Sequence, residues 1–223
     1  MSSVVADRDH QSMLIEIQRH VIGPLENNTY VARRPGDNAA ILIDPAIGSE
    51  AVVEHCVNAD ISIEAIVLTH GHADHILGIP AVMHRFPGIP VYVHPADRPF
   101  LSDPVLNGSS MIIGQPFTHT GELQDLTPGA QTIAGIDFTV VHVPGHTPGG
   151  CAILADGQCL VGETLCAGSI GRSDLAGGDG VQLINSIREH ILSLPADTVL
   201  WPGHGPDSTV GHEAANNPFL NWL

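Results

Sequence analysis

Thr69-His70-Gly71-His72-Ala73-Asp74-His75 sets three histidines and one aspartate on a short stretch, directly after the apolar run Ile66-Val67-Leu68. That run reads as a buried strand, and the residues from Ala73 onward read as the start of a helix. The cluster therefore falls on a strand-to-helix loop, where α/β folds place ligand sites. Imidazole and carboxylate are favoured ligands for zinc and for non-haem iron. Core packing does not account for four such groups on one short loop.

Three further stretches repeat the pattern downstream. His146 lies in Val143-Pro144-Gly145-His146-Thr147-Pro148-Gly149, after an alternating strand from Phe138 to Val143. Glu163 follows the apolar run Leu160-Val161-Gly162, and His204 sits in Trp201-Pro202-Gly203-His204-Gly205-Pro206 after Thr198-Val199-Leu200. Each is a metal-type side chain on a glycine- or proline-bearing turn at a strand end, where backbone can approach a site closely. Singly each signal is weak, and His204 alone would read as an ordinary polar loop residue. Together with the first cluster they supply enough ligands for two metal ions.

The order and context of these residues resemble the metallo-β-lactamase fold superfamily, and within it the glyoxalase II-like hydrolases. The resemblance runs from Gly23-Pro24-Leu25 through Asp44-Pro45 to Asn217-Pro218-Phe219-Leu220, with H-x-H-x-D-H as its most specific mark. The segment Gly168-Ser169-Ile170-Gly171-Arg172-Ser173-Asp174-Leu175 is similar to the one that follows the bridging acid in glyoxalase II-like and persulfide dioxygenase-like members. The resemblance implies an α/β, four-layer αββα fold. It implies that His70, His72 and His146 hold a first ion, that Asp74, His75 and His204 hold a second, and that Glu163 bridges them. The cofactors implied are two divalent ions, foremost zinc, with iron or manganese accepted by the same donors. Asp74 and Glu163 are the expected catalytic groups, on either side of a metal-activated hydroxide. The family normally carries aspartate where this chain has Glu163, which keeps the charge and adds one methylene.

The implied activity is hydrolysis of a small acyl thioester, such as an S-2-hydroxyacyl-glutathione or one on a similar thiol carrier. A thiolate with a pKa near ~8.5 leaves without strong need of a general acid. Glyoxalase II of the long type carries a C-terminal helical region that grips glutathione. This chain ends soon after His204 and looks like the compact bacterial type, which leaves the thiol open. The main alternative is a mononuclear iron persulfide dioxygenase, holding its iron on His70, His72 and either Glu163 or His146. A lactonase or β-lactamase-like hydrolase and a metal-binding but inactive member are the others. The set Asp74, His75 and His204 favours the hydrolase.

Length and composition agree with one catalytic domain over 13–223, preceded by a flexible lead-in at 1–12. The N-terminus has no basic start followed by an apolar core, and no apolar run would span a bilayer, so the expected compartment is the cytoplasm. The formal charge is −16 and lysine is absent, which argues against nucleic acid as a partner. A small-molecule substrate, no membrane partner and an open question of homo-oligomerisation complete the expectation. Cys56, Cys151, Cys159 and Cys166 show no C-x-x-C pairing and read as small buried filler, with Cys166 close enough to Glu163 to be a candidate pocket residue.

The expected elements are strands at 13–21, 30–32 and 39–43, a helix over 49–58 with Ser49 as its cap, and a helix over 74–86 disturbed at Pro80. A short strand at 91–93 and a short helix at 95–101 follow. Residues 102–120 have little periodicity and read as a lid over the metals or an inserted loop. Strands are expected near 131–143, at 151–154 and at 158–161, then a helix over 180–192 led in by Gly177-Gly178-Asp179-Gly180. His119, inside the 102–120 segment, is the remaining histidine to watch.

Overall fold

The computed structural model describes residues 15–220. The expected lead-in at 1–12, and Met13 and Leu14 at the head of the first expected strand, lie outside the described residues. The elements run β1 (Glu16–Ile22), β2 (Asn27–Arg33), β3 (Ala39–Ile43), α1 (Ser49–Asn58), β4 (Ser62–Val67), α2 (Ala73–Ile76), α3 (Ile79–Arg85), β5 (Val91–Val93), a 3₁₀ turn (Pro95–Asp97), α4 (Arg98–Ser102), α5 (Ser109–Ile112) and β6 (Leu123–Asp125) in the first half. The second half runs β7 (Gly129–Ile133), β8 (Ile136–His142), β9 (Cys151–Ala155), β10 (Gln158–Gly162), β11 (Leu165–Cys166), β12 (Ser169–Ile170), α6 (Gly180–Ser186), a π turn (Ile187–Ile191), β13 (Val199–Pro202), β14 (Ser208–Thr209) and α7 (Val210–Asn216).

Two six-stranded sheets form, in the orders β1-β2-β3-β4-β5-β6 and β14-β13-β10-β9-β8-β7. Three apolar clusters separate the layers. Leu42, Ile66 and Val91 pack the first sheet against Val52, Cys56, Ile79 and Val82 of α1 and α3. Ile41, Ile43, Val67, Phe138, Ile153 and Leu160 fill the space between the sheets. Val161 and Leu200 pack the second sheet against Leu183 and Ile187 of the α6 side. This is the expected αββα sandwich. The layering follows from period-2 patterning: in β3, Leu42 faces the helices while its neighbours Ile41 and Ile43 face the other sheet. Each fully buried Leu or Ile contributes roughly 1.5–3 kcal/mol.

The local differences from expectation have physical causes. The cap of α1 is Gly48, in the left-handed region at φ 93°, and the Ser49 hydroxyl instead donates to the Ala46 carbonyl at 2.7 Å. The helix expected over 74–86 is two helices, broken before Pro80 at Gly78. The Gly78 N–H is committed to the Pro45 carbonyl at 2.8 Å, outside the helix. Pro80 then sits in the first turn of α3, where its missing N–H costs nothing. The stretch near 131–143 is a hairpin, β7–β8, turned at Ala134 and Gly135, both at positive φ. Asp179 caps α6 by accepting from Gln182 N at 2.9 Å, and the expected helix over 180–192 finishes as the π turn.

All four cysteines are free thiols. Burial pushes the Cys56 thiol up to about 11 and those of Cys151, Cys159 and Cys166 up to about 12. No helix among the described residues is long and apolar enough to cross a membrane.

Candidate metal centre

Loops at the ends of β4, β8, β10 and β13 converge at one end of the sandwich. The β4–α2 loop brings His70 and His72, and α2 brings Asp74 and His75, all buried. Ligand atoms of His70, His72 and His146 lie within 4.8 Å of one another, and those of Asp74, His75, Glu163 and His204 form a second such group. All seven residues expected from the sequence are therefore brought together, in the two expected sets.

Glu163 spans the two sets. Its Oε1 lies 3.1 Å from His75 Nε2, 3.4 Å from His204 Nε2 and 3.8 Å from His70 Nε2, while Oε2 lies 3.5 Å from His146 Nε2. The two carboxylate oxygens thus face both groups. Asp74 Oδ2 lies 3.1 Å from His204 Nε2 and 3.5 Å from His75 Nε2, and accepts from Asn27 Nδ2 at 2.9 Å.

The far nitrogens of the imidazoles are tied to acceptors. His75 Nδ1 donates to Asp44 Oδ2 at 3.1 Å, His146 Nδ1 to the Arg172 carbonyl at 2.6 Å, and His204 Nδ1 to the Leu25 carbonyl at 3.1 Å. The Thr69 hydroxyl donates to Asp44 Oδ2 at 2.6 Å, so at 3.1 Å from His70 Nδ1 it accepts. With a proton held there, Nε2 is the nitrogen left to face the centre, the arrangement that orients metal-ligating histidines. His70 Nε2 is buried with no hydrogen-bond partner, an orphan of the kind that a bound cation satisfies. His72 differs: its Nδ1 lies 2.9 Å from His146 Nε2, so Nδ1 faces that group. The donor set fits two divalent cations, one on His70, His72 and His146, the other on Asp74, His75 and His204, with Glu163 reaching both.

The charges divide the two sets. Burial holds His70 well below its ordinary pKa and His72 down to about 4, so both are neutral at pH 7. Burial acts the same way on His75 and His204, but carboxylates overcome it. Asp74 and Asp44 hold His75 well above its usual value, and Asp74 and Glu163 lift His204 to about 9. Reciprocally, Asp74 and Glu163 sit below the carboxylate range: burial pushes both up, and His75 and His204 more than offset it.

A cavity of about 400 Å³ opens above the centre. His72, Asp74, His146, Glu163 and His204 form its floor; Leu25, Val105, Leu106, Met111, Ile112 and Leu175 line its sides; Arg172 is its cation. The 102–120 segment is part of this wall and is pinned at Asn107. The Asn107 side chain donates to the Phe100 and Phe117 carbonyls at 2.8 and 3.0 Å, and its own carbonyl accepts from Ala73 N at 2.9 Å. His119 and Cys166 are not among the lining residues. Asn27, Asp44 and Asn107 are the supporting residues that reading by ligand type passes over. The signal for Asn27 was a polar triplet, Asn27-Asn28-Thr29, opening a strand in which all three are buried.

Residues 22–204 match the profile of the Metallo-beta-lactamase superfamily. The chain is 33% identical to hydroxyacylglutathione hydrolase GloC of Haemophilus influenzae, over 82% of this chain and 88% of that one. Among solved structures, the BLEG-1 B3 metallo-beta-lactamase is 39% identical with a TM-score of 0.87, over 92% and 99% of the two chains. TTHA1623, crystallised in a di-iron-bound form, is 33% identical with a TM-score of 0.81, over 91% and 100%. The chain belongs to the metallo-beta-lactamase superfamily. Its fold and its histidine- and carboxylate-rich site are those of a metal-dependent hydrolase with a candidate dimetal centre.

Proposed function

We infer that this hydrolase cleaves a small acyl thioester, of the S-2-hydroxyacyl-glutathione type or on a similar thiol carrier. The observation that carries the reading is the chemistry of the cavity wall. Above the floor, the lining offers no lysine, tyrosine, serine or cysteine, only apolar side chains, Asn107, glycine and Arg172. An amine leaving group needs a proton from a positioned acid, whereas a thiolate near pKa ~8.5 does not. The name of the Haemophilus relative supports the same class.

Divalent cations bound on the two sets would supply Lewis acidity and bring the pKa of a coordinated water to about 7. Asp74 is held as an anion by its contacts with Asn27 and His204, so it would ligate a cation and can accept a hydrogen bond that orients an attacking water at the cavity floor. Glu163 keeps the two sets at a fixed spacing. The apolar sides exclude bulk water and accept an acyl chain or the carrier's carbon skeleton. Arg172 donates to Asp174 in a bidentate pair at 2.9 Å on both arms, and its remaining N–H groups would orient one carboxylate of the thiol carrier.

The second set supports the hydrolase over the mononuclear dioxygenase, since an iron on His70, His72 and His146 or Glu163 would leave Asp74, His75 and His204 without a role. The zinc- or iron-loaded protein is tested on S-lactoylglutathione, on a thioester of an uncharged thiol, and on glutathione persulfide with oxygen uptake recorded. Thioester turnover without oxygen uptake is expected, and Arg172→Ala should raise KM for the glutathione thioester by about tenfold with kcat little changed, as for loss of one charge-assisted hydrogen bond. Oxygen uptake with the persulfide and no thioester turnover would replace this reading with the dioxygenase.

A further inference from the structure

Asp97, in the 3₁₀ turn after β5, is fully buried and has its two oxygens on three donors. Oδ2 accepts from Gly71 N at 2.9 Å and from the Thr147 hydroxyl at 2.7 Å; Oδ1 accepts from Gly149 N at 2.6 Å. Gly71 separates His70 from His72, and Thr147 follows His146. The carboxylate therefore joins the two loops that supply the three-histidine set, and it touches nothing of the second set.

Sterics show that the loops are built around it. A Cβ on Gly149 would lie 2.7 Å from the Asp97 carboxyl carbon, and one on Gly71 would lie 2.5 Å from Phe100 Cβ and 3.2 Å from the Asp97 carbonyl. Both glycines thus leave room for the Asp97 turn to enter between the loops. Two of the three donors are backbone N–H groups, which can only donate, so the site demands an acceptor and suits the ionised form. Yet no cationic side chain pairs with Asp97 among the described residues: the guanidinium of adjacent Arg98 is turned to Asp125 at 2.7 Å. Burial accordingly raises the Asp97 pKa, against the pull of its three hydrogen bonds. A buried carboxylate without a counter-cation is costly unless one arrives.

We propose that Asp97 is a positioning residue for the three-histidine set: it fixes the approach of the His70–His72 loop to the His146 loop, and its uncompensated charge raises that set's affinity for a divalent cation. The cation on His70, His72 and His146 is the missing counter-charge. Asp44 reaches both sets, through His75 Nδ1 and, by way of the Thr69 hydroxyl, His70 Nδ1. The inference rests on the metal-binding reading and is independent of which thioester, if any, is the substrate.

Zinc affinity is measured by competition with a chromophoric chelator on the metal-stripped full chain, for the wild type, Asp97→Asn, His204→Ala and the Asp97→Asn/His204→Ala double variant. His204→Ala weakens the second set, so the tight zinc that remains reports the three-histidine set. Supporting residues behind metal ligands typically change affinity about 10- to 100-fold. Asp97→Asn should lower the three-histidine affinity by that factor and leave the other within about threefold. A merely structural role would lower both affinities together, in step with the Tm of the metal-free protein, and that result would overturn the proposal, as would unchanged affinity. Thr147→Val keeps the charge and removes one donor. Should Asp97→Asn not fold, a selective loss in Thr147→Val supports the proposal and no loss overturns it. Absence of zinc binding by the wild type would remove the metal-binding reading itself.

Discussion

Glu163→Asp tests how this chain spans two cation sites with a glutamate. The substitution withdraws the carboxylate by one carbon–carbon bond, about 1.5 Å. Contacts now at 3.1 Å to His75, 3.4 Å to His204 and 3.5 Å to His146 would become roughly 4.6–5 Å. The backbone has no room to follow. A Cβ on Gly162 would clash with the Thr69 hydroxyl, one on Gly171 would clash with the Glu163 carbonyl, and one on Gly203 would meet His75 Cε1 at 2.7 Å. Metal–oxygen bonds are about 2.0–2.2 Å long, so a carboxylate displaced by that much cannot reach both ions. Loss of a supporting residue typically costs up to about 100-fold in metal affinity, and withdrawing a ligand should exceed that at one site. The assay is metal content per chain after dialysis against a weak chelator, with thioester turnover alongside. The expected result is a fall from two ions to one and a loss of at least tenfold in kcat. Retention of two ions with a large gain in turnover would refute this reasoning, and would mean that the natural glutamate suppresses catalysis.

His72→Ala should lose the ion of the three-histidine set and with it hydrolysis; unchanged metal content and rate would overturn the assignment of ligands. Ion uptake by the second set should strengthen with pH, because the protons held on His204 and His75 must leave. The slope should approach tenfold per pH unit for each proton released, from pH 7 to about 9, where His204 deprotonates; His70 and His72, already neutral, should add none. In the metal-free protein the sign reverses: a His204 raised from 6.5 to about 9 stabilises fully below pH 6.5, and that contribution disappears as pH rises through 9, which thermal melts in chelator would detect. Asn107→Ala should loosen the cavity wall, raising KM several-fold while metal content stays at the wild-type value; a fall in metal content instead would place Asn107 in support of the β4–α2 loop.

The ligands were legible because chemistry concentrates them. His70, His72, Asp74 and His75 occupy one short stretch, and His146, Glu163 and His204 each stand on a glycine turn after an apolar run, so residue type and punctuation sufficed. The alternation in β8 likewise announced a strand with two unlike faces. What stayed hidden depends on distant partners. Nothing near Ser49 says that Gly48 will take the left-handed cap, nor does Pro80 say that the break falls at Gly78, since that N–H bonds to Pro45 across the fold. Asp44 and Asp97 carry no local sign of what they hold, because their donors come from residues 25 to 52 positions away. The wall at 102–120 has no periodicity because it is held by Asn107 and not by an amphipathic face.

The state of the four thiols bears on how the protein survives its proposed substrate. Thioesters transfer acyl groups to amines and thiolates wherever these are exposed and nucleophilic. This chain has no lysine amine, and its most acidic cysteine, with a pKa of about 11, is about one part in ten thousand thiolate at pH 7. Prolonged incubation of the metal-stripped protein with an activated acyl thioester should therefore leave the side chains unmodified in a peptide-mass map, with any acyl group confined to the N-terminal amine, where a lysine-bearing protein of equal size gains acyl groups on its side chains. A hydrolase so composed would not be labelled on its side chains by the compounds it destroys.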